Sequence, residues 1–292
     1  MAEQVSRVGA ARPVKKGAHA DTDSYGSLSP DGDRSVWFNE DIEGPHFQWL
    51  PPWAKLAVGK FHDRIRDRNF PCFFAPAADR QGTIVYSFLK GTNTAADIEA
   101  LLAQIGDYLH GLRSLPAQKA DMTVLVAFVM PPARRQTLGQ YARQSFDLLS
   151  ELHALDPVDW PLHIPKDQND PKWSFALFGE ALFINISTPA NVVRRSRNLG
   201  EGLVLIISPR EVFDRIAPAG EAGDRVRGNI RRRSAGYDGL ETAPWTTNYG
   251  MGGPGGERKQ YLLPDDNENS IDLTITYRDS KPGPGKCPFG HG

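Results

Sequence analysis

Residues 83–89 read TIVYSFL and residues 122–129 read MTVLVAFV, and the segment between these two apolar runs has the period of a helix. Both runs are rich in β-branched and aromatic residues and too short for buried helices, so each reads as a strand. Thr94 can cap the intervening helix, whose inner face carries Ile98, Leu101, Leu102, Ile105, Tyr108 and Leu109. Strand, helix, strand in that order favours parallel pairing through a right-handed crossover. The unbroken apolarity of 122–129 suits a central strand covered on both faces. The expected architecture is α/β, with α+β as the alternative: a central, mostly parallel sheet flanked by helices.

The flanking sequence extends this pattern. Residues 54–68 place Leu56, Ala57, Val58, Phe61 and Ile65 at helical spacing, and Pro71 prevents much continuation. Residues 136–155 repeat Leu138, Tyr141, Ala142, Phe146, Leu149 and Leu152 and stop at Asp156-Pro157. Residues 173–186 alternate aromatic and small side chains around Gly179 and Glu180, which reads as a hairpin turning near the glycine. Residues 202–207 form another buried strand, and 211–216 and 221–234 read as helices, the second with a basic outer face. Beyond Gly236 only 271–277 alternates like a strand. Residues 1–35 hold too little apolar surface to offset the entropy of ordering, so they read as a flexible tail. The aromatic cluster Trp37, Phe38, Phe47, Trp49 and Trp53 then marks the start of a single domain over 36–292, without internal repeats.

Charge and composition exclude several classes. Lys and Arg number 34 against 35 Asp and Glu, a net charge of -1, so no basic surplus points to nucleic acid. No run approaches the ~20 apolar residues of a membrane span, and the N-terminus lacks the apolar core of a secretory signal, so a cytoplasmic protein is expected. Cys72 and Cys287 are the two cysteines of the chain, too far apart in sequence for a zinc ligand pair, and both read as thiols.

Motif chemistry is sparse. The chain has neither a dinucleotide-binding Gly-x-Gly-x-x-Gly nor a phosphate loop, and no Gly-x-Ser-x-Gly nucleophile elbow. Histidine is the informative residue, because neutral imidazole ligates metals and is the common axial ligand of haem iron. His153 lies seven residues after Phe146 and four after Leu149, so it projects from the apolar face of its helix one turn before the helix stops. It is either a core histidine satisfied by a backbone carbonyl or by Asp156, or a ligand. His163, in a loop bounded by Pro161 and Pro165, is the reserve candidate.

Several blocks carry a resemblance when taken in order: Asn69-Phe70-Pro71-Cys72; Leu152-His153-x-x-Asp156; Asp170-Pro171-x-Trp173-x-Phe175 running into Gly179-Glu180-x-x-Phe183; Arg195-Ser196-Arg197-Asn198-Leu199-Gly200; Pro209-Arg210-x-x-Phe213; and Cys287-Pro288-Phe289. Over roughly residues 45–290 the chain resembles the YqcI/YcgG family. That resemblance implies haem b, dioxygen or peroxide as oxidant, and hydroxylation of a nitrogen on an arginine-like guanidino compound or other amine, as in D-cycloserine and guanitoxin biosynthesis. It places the axial ligand at His153, with a Cys287 thiolate as the rival. Gly290 stands between Phe289 and His291, a departure from the family's ending. Arg194, Arg195, Arg197 and Arg258 are the fork donors in reach of haem propionates, and Trp173, Phe175 and Phe183 offer flat apolar contact. Glu180 and Asp170 are the carboxylates for a guanidinium or ammonium substrate, although turn chemistry explains Glu180 equally well. An electron donor is required, and the apolar face of 95–112 suits core or a homodimer interface alike. The non-enzymatic alternative is a haem carrier or gas sensor.

Overall fold

The computed structural model describes residues 36–38, 45–248, 250 and 256–278. The tail expected over 1–35, and Cys287 with its neighbours, lie outside the described residues. Six strands build one sheet: β1 (Val36–Phe38), β2 (Ile84–Leu89), β3 (Val124–Val129), β4 (Phe175–Leu177), β5 (Glu180–Ser187) and β6 (Val204–Pro209), in the order β1-β2-β3-β6-β5-β4. The helices are α1 (Pro52–Ile65), α2 (Phe74–Gln81), α3 (Ala95–Leu112), the single turn α4 (Ala117–Ala120), α5 (Leu138–Leu155), α6 (Arg210–Ile216) and α7 (Glu221–Asp238).

β2 and β3 pair in parallel, Ile84 opposite Val124 and Leu89 opposite Val129, with α3 in the crossover between them. The other four pairings are antiparallel. The sheet is therefore mixed, which corrects the mostly parallel expectation. Continuous apolar strands report burial on both faces, and antiparallel strands meet that condition equally once helices cover both sides.

The alternation along β3 divides the interior. Leu125, Ala127 and Val129 enter a core shared with Leu101, Ile105, Phe146, Leu149 and Leu152 of α3 and α5. Val126 and Phe128 enter a second core with Val58, Phe61 and Ile65 of α1 and Tyr237 of α7. The result is a sheet between two helical layers.

Local chemistry sets the element ends. The Thr94 side chain accepts from Asp97 N at the start of α3, and Thr137 and Gln140 form a reciprocal capping box on α5. Pro52 opens α1 at a position where its missing N–H costs nothing. α7 runs four residues past the expected 234 and stops at Gly239, whose φ of 66° ends the helix. β4 and β5 turn through Phe178 (φ 54°) and Gly179 (φ 78°), the two positive φ values that a two-residue hairpin of this hand demands. Residues 271–277 are extended but join no strand. A glutamine takes the place of a neighbouring strand: Gln168 Nε2 donates to Ile275 O at 2.8 Å and its Oε1 accepts from Ile275 N at 2.9 Å. This strap crosses the C-terminal end of α5, where Thr276 N donates to Ser150 Oγ at 2.9 Å.

Candidate functional site

The strap and the last turn of α5 enclose His153, which is 2% exposed. Its ring meets Trp160 edge-on at 5.3 Å and Tyr277 at 5.5 Å between centroids. Trp160 and Tyr277 are themselves 4.9 Å apart, and Trp160 stacks on Trp173 at 6.4 Å. These walls are held by polar tips: Trp173 Nε1 donates to Tyr277 Oη at 2.7 Å and Trp160 Nε1 to Ile164 O at 2.9 Å. His153 Nδ1 is buried and has no hydrogen-bond partner. Asp156 does not supply one, because its two oxygens accept from Val158 N and Phe178 N, each at 2.9 Å. Burial, then the cations of Arg278 and Lys166, hold the imidazole's pKa below the ordinary 6.5, so the ring stays neutral at neutral pH.

A buried ring nitrogen without a partner suits a ligand role, since buried polar atoms are otherwise nearly always paired. Among the described residues no group of three or more His, Cys, Asp or Glu is placed to hold a metal ion. A lone imidazole fits a cofactor that brings its own equatorial ligands, as haem does. The space does not fit as folded: Trp160 and Tyr277 stand against the ring where a porphyrin face would lie. Seating haem requires both the loop that carries Trp160 and the strap that carries Tyr277 to move.

The structure distributes the other expected residues over several places. Arg258, 3% exposed, braces the strap by donating to Gln168 O at 3.2 Å, Leu273 O at 2.9 Å and Asn169 Oδ1 at 2.7 Å, and pairs with Asp272 at 2.6 Å. Arg195 lies over the Tyr237 ring at 4.8 Å, on the α1–α7 side of the sheet. Arg197 donates to Tyr261 O at 3.4 Å, and burial lowers its pKa to about 10. Arg194 is spent on the 264–267 loop, through Pro264 O and Asn267 Oδ1, each at 2.5 Å. Trp173 and Phe175 are fully buried core residues, and Phe183 packs on Phe213 at 4.9 Å and Tyr261 at 5.7 Å. Glu180 opens β5 and pairs with Arg113 at 2.7 Å, both side chains solvent-exposed. Asp170 Oδ1 accepts from Lys172 N at 2.7 Å in a local turn. His163 is exposed.

Sequence reasoning passed over a buried carboxylate. Glu257, 4% exposed, accepts from Ser174 Oγ at 2.6 Å and Tyr261 Oη at 3.0 Å, with Arg210 Nε at 3.1 Å. Burial raises its pKa to about 7 against the pull of Arg210. The nearest sequence signal was Gly256: its φ is 70°, and a Cβ there would lie 2.6 Å from Gln168 O.

Fold and site together define a class: a mixed-sheet α/β protein with helices on both faces and a neutral imidazole, unpartnered at Nδ1, enclosed by aromatic rings. The chain belongs to the YqcI/YcgG family, whose sequence model matches residues 61–273. It is 36% identical over 231 residues to a candidate N(omega)-hydroxy-L-arginine synthase, DcsA, from Streptomyces lavendulae, a match covering 78% of this chain and 86% of that protein. It is 27% identical to YqcI and 28% identical to YcgG of Bacillus subtilis (strain 168), both named only as uncharacterized. These matches cover 76% and 83% of this chain and 87% and 90% of those proteins, respectively. No solved structure matches. No helix among the described residues is long and apolar enough to cross a membrane.

Proposed function

We propose that this protein is a haem-dependent N-hydroxylase acting on a guanidino nitrogen of arginine or a similar small molecule, with His153 as the axial ligand. The observation that carries the reaction class is the 36% identity, over 78% of the chain, to the arginine hydroxylase candidate. The orphaned Nδ1 of His153 supports the ligand assignment. Bound haem would supply activation of dioxygen or peroxide. With dioxygen, one oxygen atom enters the N–H bond and the other leaves as water, consuming two electrons from a separate donor and two protons; a peroxide already carries those electrons.

The chain's own residues prepare the ligand. Burial, helped by the cations of Arg278 and Lys166, keeps His153 neutral, leaving a nitrogen lone pair free to bind. Trp160, Trp173 and Tyr277 exclude water from it. The aromatic rings packed on His153 favour one other reading, a haem carrier or gas sensor without turnover. The deciding assay supplies haem-loaded protein with L-arginine, a reductant and dioxygen, or with peroxide. A product heavier by one oxygen atom is expected. No such product from any member of a guanidino and amine panel overturns the hydroxylase and leaves the carrier.

A further inference from the structure

A cleft of about 690 Å³ opens at the carboxyl ends of β2 and β3, bounded by the 90–93 and 130–136 loops and the first turns of α5. Ligands of α/β sheets characteristically bind in such a position, beyond the carboxyl ends of parallel strands. Two of its lining residues present buried acceptors that nothing satisfies, Gln136 Oε1 and Gln144 Oε1. Asp147 and Tyr141 line the same wall.

The unmet groups fix which hydrogen-bonding atoms the ligand must bring. Helix starts would ordinarily draw an anion, but here they are already served: Thr94 and Thr137 cap α3 and α5, and Asp97 Oδ1 accepts from Lys90 N at 3.0 Å. What remains unserved inside is oxygen, which calls for hydrogen-bond donors, and the Asp147 carboxylate on the same wall favours donors that carry positive charge. At the mouth, the side chains of Lys90 and Arg143 have no hydrogen-bond or ion-pair partner among the described residues and are free for a carboxylate. A planar cation at one end and a carboxylate at the other describe a guanidino amino acid.

We propose that this cleft binds a free amino acid bearing a guanidinium side chain, the cation donating to Gln136 and Gln144 and facing Asp147, the carboxylate meeting Lys90 and Arg143. The choice of ligand rests on the hydroxylase reading, but the place is separate. Gln144 and His153 are nine helical positions apart, about 14 Å along the axis at the α-helical rise. The cleft is a capture site away from the imidazole.

Calorimetry on the full chain tests this, with L-arginine, with agmatine, which lacks the carboxylate, and with citrulline, which lacks the charge. L-arginine is expected to bind, agmatine about tenfold and citrulline about a hundredfold more weakly. Gln136→Leu with Gln144→Leu is expected to weaken arginine about a hundredfold. Gln136→Glu with Gln144→Glu keeps size and acceptor oxygens, should hold or tighten arginine, and serves if the leucine variant misfolds. His153→Ala should leave binding unchanged. Absence of arginine binding, citrulline bound as tightly as arginine, unchanged affinity in the leucine variant, or weaker affinity in the glutamate variant each overturns the site. The two readings fail separately. Arginine bound in the cleft with no oxygenated product sinks the hydroxylase alone, whereas product formed while the leucine variant keeps the parent's calorimetric affinity for arginine sinks the cleft alone.

Discussion

Burial next to Arg278 and Lys166 keeps His153 uncharged to lower pH than an ordinary histidine. The unfolded chain therefore binds more protons just below 6.5 than the folded one does, and this group's contribution to stability is lost as pH falls below 6.5. Glu257 acts in the opposite sense. Its pKa of about 7, raised from 4.5, means that the folded state holds the proton longer, so its contribution is full below 4.5 and fades as pH rises through 7. Replacing Glu257 by Gln should accordingly gain stability relative to the parent between pH 5 and pH 8, on the order of 3 kcal/mol. Urea unfolding at both pH values measures it, and a difference independent of pH contradicts the account. Gln104 offers a second check, because both amide atoms are buried without partners in a residue 3% exposed. Gln104→Leu should raise the urea midpoint, by about 1–3 kcal/mol in stability, and a fall would mean that a partner had been removed. The inward face of His153 was legible from its spacing after Phe146 and Leu149. Its walls were not, because Trp160 sits in an irregular loop and Tyr277 arrives more than a hundred residues later, and neither distance leaves a periodic mark.

Elements were read best where one local rule decides them. The cap at Thr94, the stop at Asp156 and the turn at Gly179 each follow from a few neighbouring residues, and each is in place. The direction of β6 and the pairing of β5 depend on loops with no such rule, so the sheet's mixed character had no local signature. The 271–277 segment alternates as a strand does, yet side chains supply its backbone partners: Gln168 at Ile275, Ser150 at Thr276 and Arg258 at Leu273. No period in the sequence announces a side chain doing that. One glycine tests how tightly the layers close: a Cβ at Gly202 would lie 2.3 Å from Val129 O, where β3 leaves the sheet and the chain enters β6. Backbone cannot yield there as a side-chain tip can, so Gly202→Ala should destabilise by about 3 kcal/mol. Thermal or urea unfolding measures it, and a neutral outcome contradicts the packing described.

For the whole molecule, the two cores explain why the expected haem residues do not converge. Arg195 serves the α1–α7 face and Arg258 the strap over α5, although both lie within the residues matched by one family model. Much of that shared sequence thus reports how the sheet, the loops and the strap are fastened. The proposed chemistry rests on a small volume between α5 and the strap, where a neutral imidazole lacks a hydrogen-bond partner at Nδ1. Absorption spectroscopy of purified, haem-loaded protein tests that claim most directly. The account predicts a Soret band in the parent that is lost or shifted in His153→Ala; a parent without the band, or a His153→Ala variant with the parent's spectrum, contradicts it.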